Sequence, residues 1–145
     1  MRIVVTGGMG FIGSSFVNLL GRKLPTAQVV VVDKMTYAAN PNNLKTQVTL
    51  IKEDICDVTV EDLGDYDYLV HFAAESHVDN SISGPEAFIK TNVLGTFNLL
   101  DSARNLWMIS PNVFNEKFKN NSLETLVNLS LKGNGISLIP YLTSL

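Results

Sequence analysis

The chain has 145 residues and a formal net charge of −3, a length that suits one domain with a buried core. Hydrophobic residues make up 46% and charged residues 17%, which excludes a disordered chain, and the acidic balance leaves no basic field to hold nucleic acid. Cys56 is the one cysteine, which excludes an internal disulfide framework and a cysteine-based zinc site.

Arg2–Thr6 is a β-branched run stopped by Gly7 and Gly8, a buried strand. Residues 12–23 follow as a helix ended by Pro25, with Ile12, Phe16, Leu19, Leu20 and Leu24 at helical spacing as its apolar face. A second buried strand is expected at 28–33. Residues 34–47 show little periodicity around Asn40-Pro41-Asn42-Asn43 and read as a loop or short helical turns. A third strand at 48–52, a short helix at 57–63 before Gly64, and a fourth strand at 68–72 come next. Pro85 opens a helix running to about 105, with Phe88, Ile89, Val93, Phe97, Leu100 and Ala103 available for burial.

Repeated strand–helix–strand units imply a parallel sheet with right-handed crossovers. Beyond 106 the composition shifts toward Asn, Ser and Leu. Helices are expected at 111–119 and 122–132, and a short strand at 135–141. No apolar run exceeds Val29-Val30-Val31-Val32, so no membrane span is expected. No charged and apolar leader is read at the start, so the cytoplasm is the expected compartment and the Asn-x-Ser matches at Asn120 and Asn128 read as chance.

Chemistry concentrates at the strand ends. Thr6-Gly7-Gly8-Met9-Gly10-Phe11-Ile12-Gly13 lies between the first strand and first helix. Gly7 permits the tight turn, Gly10 lets the backbone approach a pyrophosphate, and Gly13 lets the helix pack close to the sheet. A phosphate there meets free amides and the positive end of the helix dipole; a glycine-rich turn without a ligand is the alternative. Asp33 ends the second strand, where a carboxylate accepts from both ribose hydroxyls of an adenosine and repels a 2′-phosphate, favouring NAD; Lys34 next to it softens that preference. Asp54 reads either as an acceptor for the adenine amino group, with Ile55 covering the ring, or as the N-cap of the short helix after it. Phe72, Ala73 and Ala74 follow the fourth strand, where small side chains let the backbone approach a cofactor. Ser76, His77 and Asp79 are neighbours on one loop and form no triad, which needs convergence from separate elements. His71 reads as a hydrogen-bonded core histidine. No metal site is assigned.

The glycine loop resembles the cofactor loop of extended short-chain dehydrogenase/reductases. Asp33-Lys34-Met35-Thr36-Tyr37-Ala38-Ala39-Asn40 resembles the dTDP-glucose 4,6-dehydratase branch, as do Asp54-Ile55-Cys56-Asp57, Ala73-Ala74-Glu75-Ser76-His77-Val78-Asp79 and Thr91-Asn92-Val93-Leu94-Gly95-Thr96. The likeness covers residues 1 to about 105. It implies a Rossmann-like parallel sheet with strand order 3-2-1-4 and NAD as cofactor. The matching cofactor positions are Gly7, Gly10, Phe11, Ile12, Asp33, Lys34, Thr36, Asp54, Ile55, Phe72, Ala73, Ala74 and Thr91, with Ser76 near a nucleotide sugar. It also implies association of chains through the helix at 85–105.

The family's Tyr-x-x-x-Lys base does not occur. Four residues after Tyr37, Tyr66, Tyr68 and Tyr141 stand Pro41, Val70, Phe72 and Leu145. The Ser-Thr-Asp-Glu motif of the elimination step is also missing, so no catalytic residue is assigned. The expectation is a truncated, catalytically incomplete cofactor half: a partial Rossmann domain at 1–106 and an atypical tail at 107–145. A binding partner of an intact relative, half of a split enzyme and a nonfunctional remnant are the alternatives.

Overall fold

The computed structural model describes residues 1–109. The expected tail helices and the strand at 135–141 lie outside them. Four parallel strands, β1 (Arg2–Thr6), β2 (Gln28–Val32), β3 (Thr49–Ile51) and β4 (Tyr68–His71), form one sheet in the order β3-β2-β1-β4. This is the expected α/β topology. β1 lies between β2 and β4, with Val5 opposite Val31 and Val70.

The middle of the sheet is covered on both faces. Val4, Val5, Val30, Val31 and Val32 are fully buried, which is why β1 and β2 read as unbroken apolar runs rather than alternating ones. The outer strands differ. Leu50 in β3 is 42% exposed, and all four residues of β4 are half-buried.

The first helix, α1 (Phe11–Lys23), buries Gly13, Ser14, Val17 and Leu20. Of the expected face, Leu20 is buried and Phe16 packs against the core, whereas Ile12, Leu19 and Leu24 are exposed. The glycine at 13 moves the stripe, because the helix presses most closely on the sheet where there is no side chain. A Cβ on Gly13 would come within 2.9 Å of Gly7 C and Gly8 Cα. The 34–47 segment contains a single 3₁₀ turn, Pro41–Asn43, opened by the Asn40 side chain accepting from Asn42 N.

The short helix α2 (Val60–Leu63) starts later than expected because Thr59 caps it. Thr59 Oγ1 accepts from Asp62 N while Asp62 Oδ2 accepts from Thr59 N, a reciprocal capping box. After β4 come α3 (Val78–Ser83), α4 (Pro85–Phe88), a π-helical stretch at Ile89–Gly95 and α5 (Thr96–Ile109). The long helix is continuous from Pro85, as expected, but its middle is π-helical and its buried face is Gly95, Leu99, Ser102 and Ala103. Ile89, Val93 and Phe97, expected in the core, are 58%, 53% and 66% exposed. One extra residue in the π turn shifts the register, so apolar positions before and after it do not share one face. No helix of the described residues is long and apolar enough to cross a membrane.

Candidate functional site

The carboxyl ends of β1, β2, β3 and β4 open into one cleft. This is the edge of an open parallel sheet where ligands bind. Gly7 leaves β1 with φ +68°, and a Cβ there would meet Ala73 N at 2.5 Å and Phe72 C at 2.7 Å. Only glycine allows both the turn and that approach of the β1 and β4 ends. Gly10 caps α1 with extended backbone and no side-chain hydrogen bond. A Cβ on it would meet nothing nearer than Gly7 O at 3.4 Å, so the space beside its Cα is open, while its amide donates to Gly7 O at 3.2 Å and its carbonyl accepts from Ser14 N at 2.9 Å. The first amides of α1 therefore have neither intrahelical nor side-chain acceptors. Met9, between the glycines, is buried in the core and anchors the loop.

Asp33 is buried, 8% exposed. Its Oδ2 accepts from Met9 N at 2.9 Å and its Oδ1 from Met35 N at 2.8 Å. The carboxylate thus ties the glycine loop to the loop after β2, and Asn40 N adds a bond to Met9 O at 2.9 Å. Each oxygen keeps a lone pair for a further donor in the cleft. Met35 pays for this turn with a φ of 61°, uncommon for a residue with a side chain.

Asp54 does not cap α2. Its Oδ1 accepts from Cys56 N at 3.0 Å, closing a turn at 54–58. Its Oδ2 accepts from Lys34 Nζ at 2.7 Å, with Lys90 Nζ at 3.9 Å. Burial pushes the Asp54 carboxyl up, but the Lys34 hydrogen bond and the Cys56 amide outweigh it and hold it below the usual 3.8. The same hydrogen bond raises Lys34 above 10.5 against a smaller opposing effect of burial. The Cys56 thiol is raised by burial and by the nearby Asp54.

Of the residues expected from sequence, the cleft brings together Gly7, Gly10, Asp33, Lys34, Thr36, Asp54, Ile55, Phe72, Ala73, Ala74 and Thr91. Phe11 and Ile12 lie on the exposed first turn of α1, Gly13 is buried beneath Gly7, and Ser76 is an exposed residue one position past the lining Glu75. Val32, Ala38, Ala39, Glu53 and Glu75 also line the cleft and were not read from sequence. Thr91 reaches it from the π-helical stretch, and the next residue holds the opposite wall. Asn92 Nδ2 donates to Glu75 O at 2.9 Å while Asn92 Oδ1 accepts from Glu75 N at 2.8 Å. Asn98 Nδ2 donates to Ile55 O at 2.9 Å and Val58 O at 2.8 Å. Nothing in composition marks either asparagine, since the role of each depends on the helix register. His71 is hydrogen-bonded at both ring nitrogens, to Thr6 and Thr96. Among the described residues no group of three or more His, Cys, Asp or Glu is placed to hold a metal.

A parallel sheet in this order, with a glycine turn into the first helix and a carboxylate at the second strand end, defines a Rossmann-type fold of the extended short-chain dehydrogenase/reductase class. The chain belongs to the GDP-mannose 4,6 dehydratase family, whose model matches residues 4–122. It is 44% identical over 109 residues to dTDP-glucose 4,6-dehydratase of Mycobacterium tuberculosis, covering 72% of this chain and 33% of that protein. Among solved structures, it matches the Streptomyces venezuelae dTDP-glucose 4,6-dehydratase DesIV, solved with NAD bound, at a TM-score of 0.67 and 44% identity over 73% of this chain and 36% of that one. A UDP-glucose 4-epimerase of Thermus thermophilus in complex with NAD matches at a TM-score of 0.63 and 30% identity, over 73% and 34%. The chain thus spans about a third of the length of the curated relatives it matches.

Proposed function

We propose that this chain is the NAD-binding portion of a dTDP-glucose 4,6-dehydratase-like nucleotide-sugar enzyme, with residues 1–106 forming its partial Rossmann domain and 107–145 a tail. The observation that carries the reading is the meeting, in one cleft, of the glycine turn, the helix N-terminus and the buried carboxylates of Asp33 and Asp54. These residues fit a dinucleotide. The close approach that Gly10 permits and the first amides of α1, including those of Phe11, Ile12 and Gly13, suit a pyrophosphate. Asp33 suits the ribose hydroxyls, and Ile55 is an apolar cover for adenine. Phe72, Ala73, Ala74 and Thr91 bound the far end, with Ser76 beyond it toward a nucleotide sugar. Bound NAD supplies a reversible hydride acceptor.

The 145 residues hold no Tyr-x-x-x-Lys and no Ser-Thr-Asp-Glu, so by themselves they lack the family's proton-transfer groups, and no turnover of a nucleotide sugar is expected. Calorimetry tests the reading. NAD should bind the chain, and Asp33→Asn should weaken it. A folded chain that takes up no heat with NAD would reject the reading and favour a nonfunctional remnant.

A second reading, association with another dehydratase chain, is favoured by the exposed apolar side chains Ile89, Val93 and Phe97 along the helix that begins at Pro85. A dimer by light scattering that Phe97→Glu dissociates would support it, and a monomer at all concentrations would reject it.

A further inference from the structure

We propose that Asp54 sets the choice between NAD and NADP by holding Lys34 away from the ribose. The proposal rests on the NAD reading above and concerns how the same cleft rejects a 2′-phosphate. Asp33 and Lys34 are consecutive and both line the cleft. The carboxylate of Asp33 opposes a 2′-phosphate, but a lysine on the next residue, with a flexible four-carbon stem, is the kind of cation that recruits one. Left alone, the two side chains work against each other.

The structure resolves that conflict by geometry. Lys34 Nζ is held 2.7 Å from Asp54 Oδ2, at the end of the neighbouring strand. The Asp54 side chain is only 9% exposed while that of Lys34 is 54% exposed. The acid is therefore the fixed partner, locked by the Cys56 amide, and the lysine is the arm it restrains. Lys90 Nζ, 3.9 Å from the same oxygen, is too distant to replace Lys34 as the hydrogen-bonded partner. Asp54 thus removes the one cation adjacent to Asp33 and leaves Asp33 to act unopposed.

The test is calorimetric titration of the full chain with NAD and with NADP, in wild type, Asp54→Asn, Lys34→Met and the double variant. Asparagine keeps the acceptor for Cys56 N and removes the charge. Asp54→Asn should shift the ratio of NADP to NAD affinity toward NADP by about tenfold, the scale of one partly screened charge pair. Lys34→Met should change the ratio little in wild type and reverse the shift in the Asp54→Asn background, a non-additive cycle. An unchanged ratio in Asp54→Asn, or equal effects of Lys34→Met in both backgrounds, overturns the proposal while NAD binding by wild type still stands. Failure of folded wild type to bind NAD rejects the underlying reading and the proposal with it. If Asp54→Asn does not fold, Lys34→Met decides alone: unchanged residual NADP affinity supports a restrained lysine, and a marked loss shows a free one.

Discussion

Thr6 and His71, paired across β1 and β4, are joined at 2.6 Å between Oγ1 and Nδ1. The other ring nitrogen meets Thr96 Oγ1 at 3.0 Å, and Thr96 Oγ1 donates its proton to Asn92 O at 2.8 Å. Thr96 has one proton, so His71 Nε2 must be the donor to it. The neutral ring then accepts at Nδ1 from Thr6. Asn92 in turn holds both backbone groups of Glu75. A single chain of hydrogen bonds thus runs from the glycine-loop strand through β4 and the π-helical stretch to the cleft wall, and it is satisfied only with His71 neutral.

This network predicts an acid-sensitive fold. Burial lowers the His71 pKa from 6.5, so the unfolded chain binds the extra proton first. Its contribution to stability is complete above pH 6.5 and is lost as pH falls through the lower folded-state value. Urea unfolding between pH 7.5 and 5 should show a falling midpoint, and His71→Gln should flatten that slope. Equal slopes in both proteins would remove His71 from the account.

The sheet was legible because its signals are local: β1 and β2 are β-branched runs bounded by glycine and by charge, and their register follows from two-sided burial. Asp33, Asp54 and the glycines were legible because motif spacing places them at strand ends. The helix faces were not. Gly13 draws α1 onto the sheet along Val17 beside the expected Leu20 and leaves Ile12 and Leu19 exposed, and the π turn carries Ile89, Val93 and Phe97 out of the core. Both effects depend on how closely helix and sheet approach, which apolar periodicity does not encode. In the sequence Lys34 weakens the Asp33 preference, because its partner Asp54 lies on another strand end.

The two glycines of the α1 turn should separate stability from binding. Gly13→Ala drives a methyl into the Gly7 backbone, which must move. A loss of about 1–3 kcal/mol is expected, the range of overpacking, with the transition measured by circular dichroism. Gly10→Ala has ordinary φ and space for a Cβ, so its unfolding midpoint should stay near wild type while NAD affinity falls. Equal destabilisation by both changes would argue against distinct roles.

Tyr66 is buried, and its hydroxyl has no hydrogen-bond partner among the described residues. Desolvation pushes its pKa up to about 12. Removing an unpaired buried hydroxyl relieves a desolvation penalty of ~1–3 kcal/mol without breaking a bond. Tyr66→Phe should therefore fold at least as stably as wild type, with a gain of up to ~1 kcal/mol in thermal unfolding. A clear loss of stability would show that the hydroxyl has a partner.

Asn98 is the most exacting test of how the cleft is built. Its amide nitrogen bridges Ile55 O and Val58 O, so one side chain on α5 fixes the turn that carries Asp54 and Ile55. A Cβ on Gly95, one turn earlier, would meet Ile55 Cδ1 at 2.6 Å, so the same helix also packs directly on that turn. Asn98→Ala removes two donors at once and should cost about 1–3 kcal/mol. Asn98→Asp keeps the shape but sets a carboxylate against two carbonyl oxygens, and it should cost more than alanine at pH 7 and less at pH 3, where the acid is protonated and donates again. If alanine and aspartate behave alike across that range, the two carbonyls are satisfied by other groups and the bridge does not hold the turn.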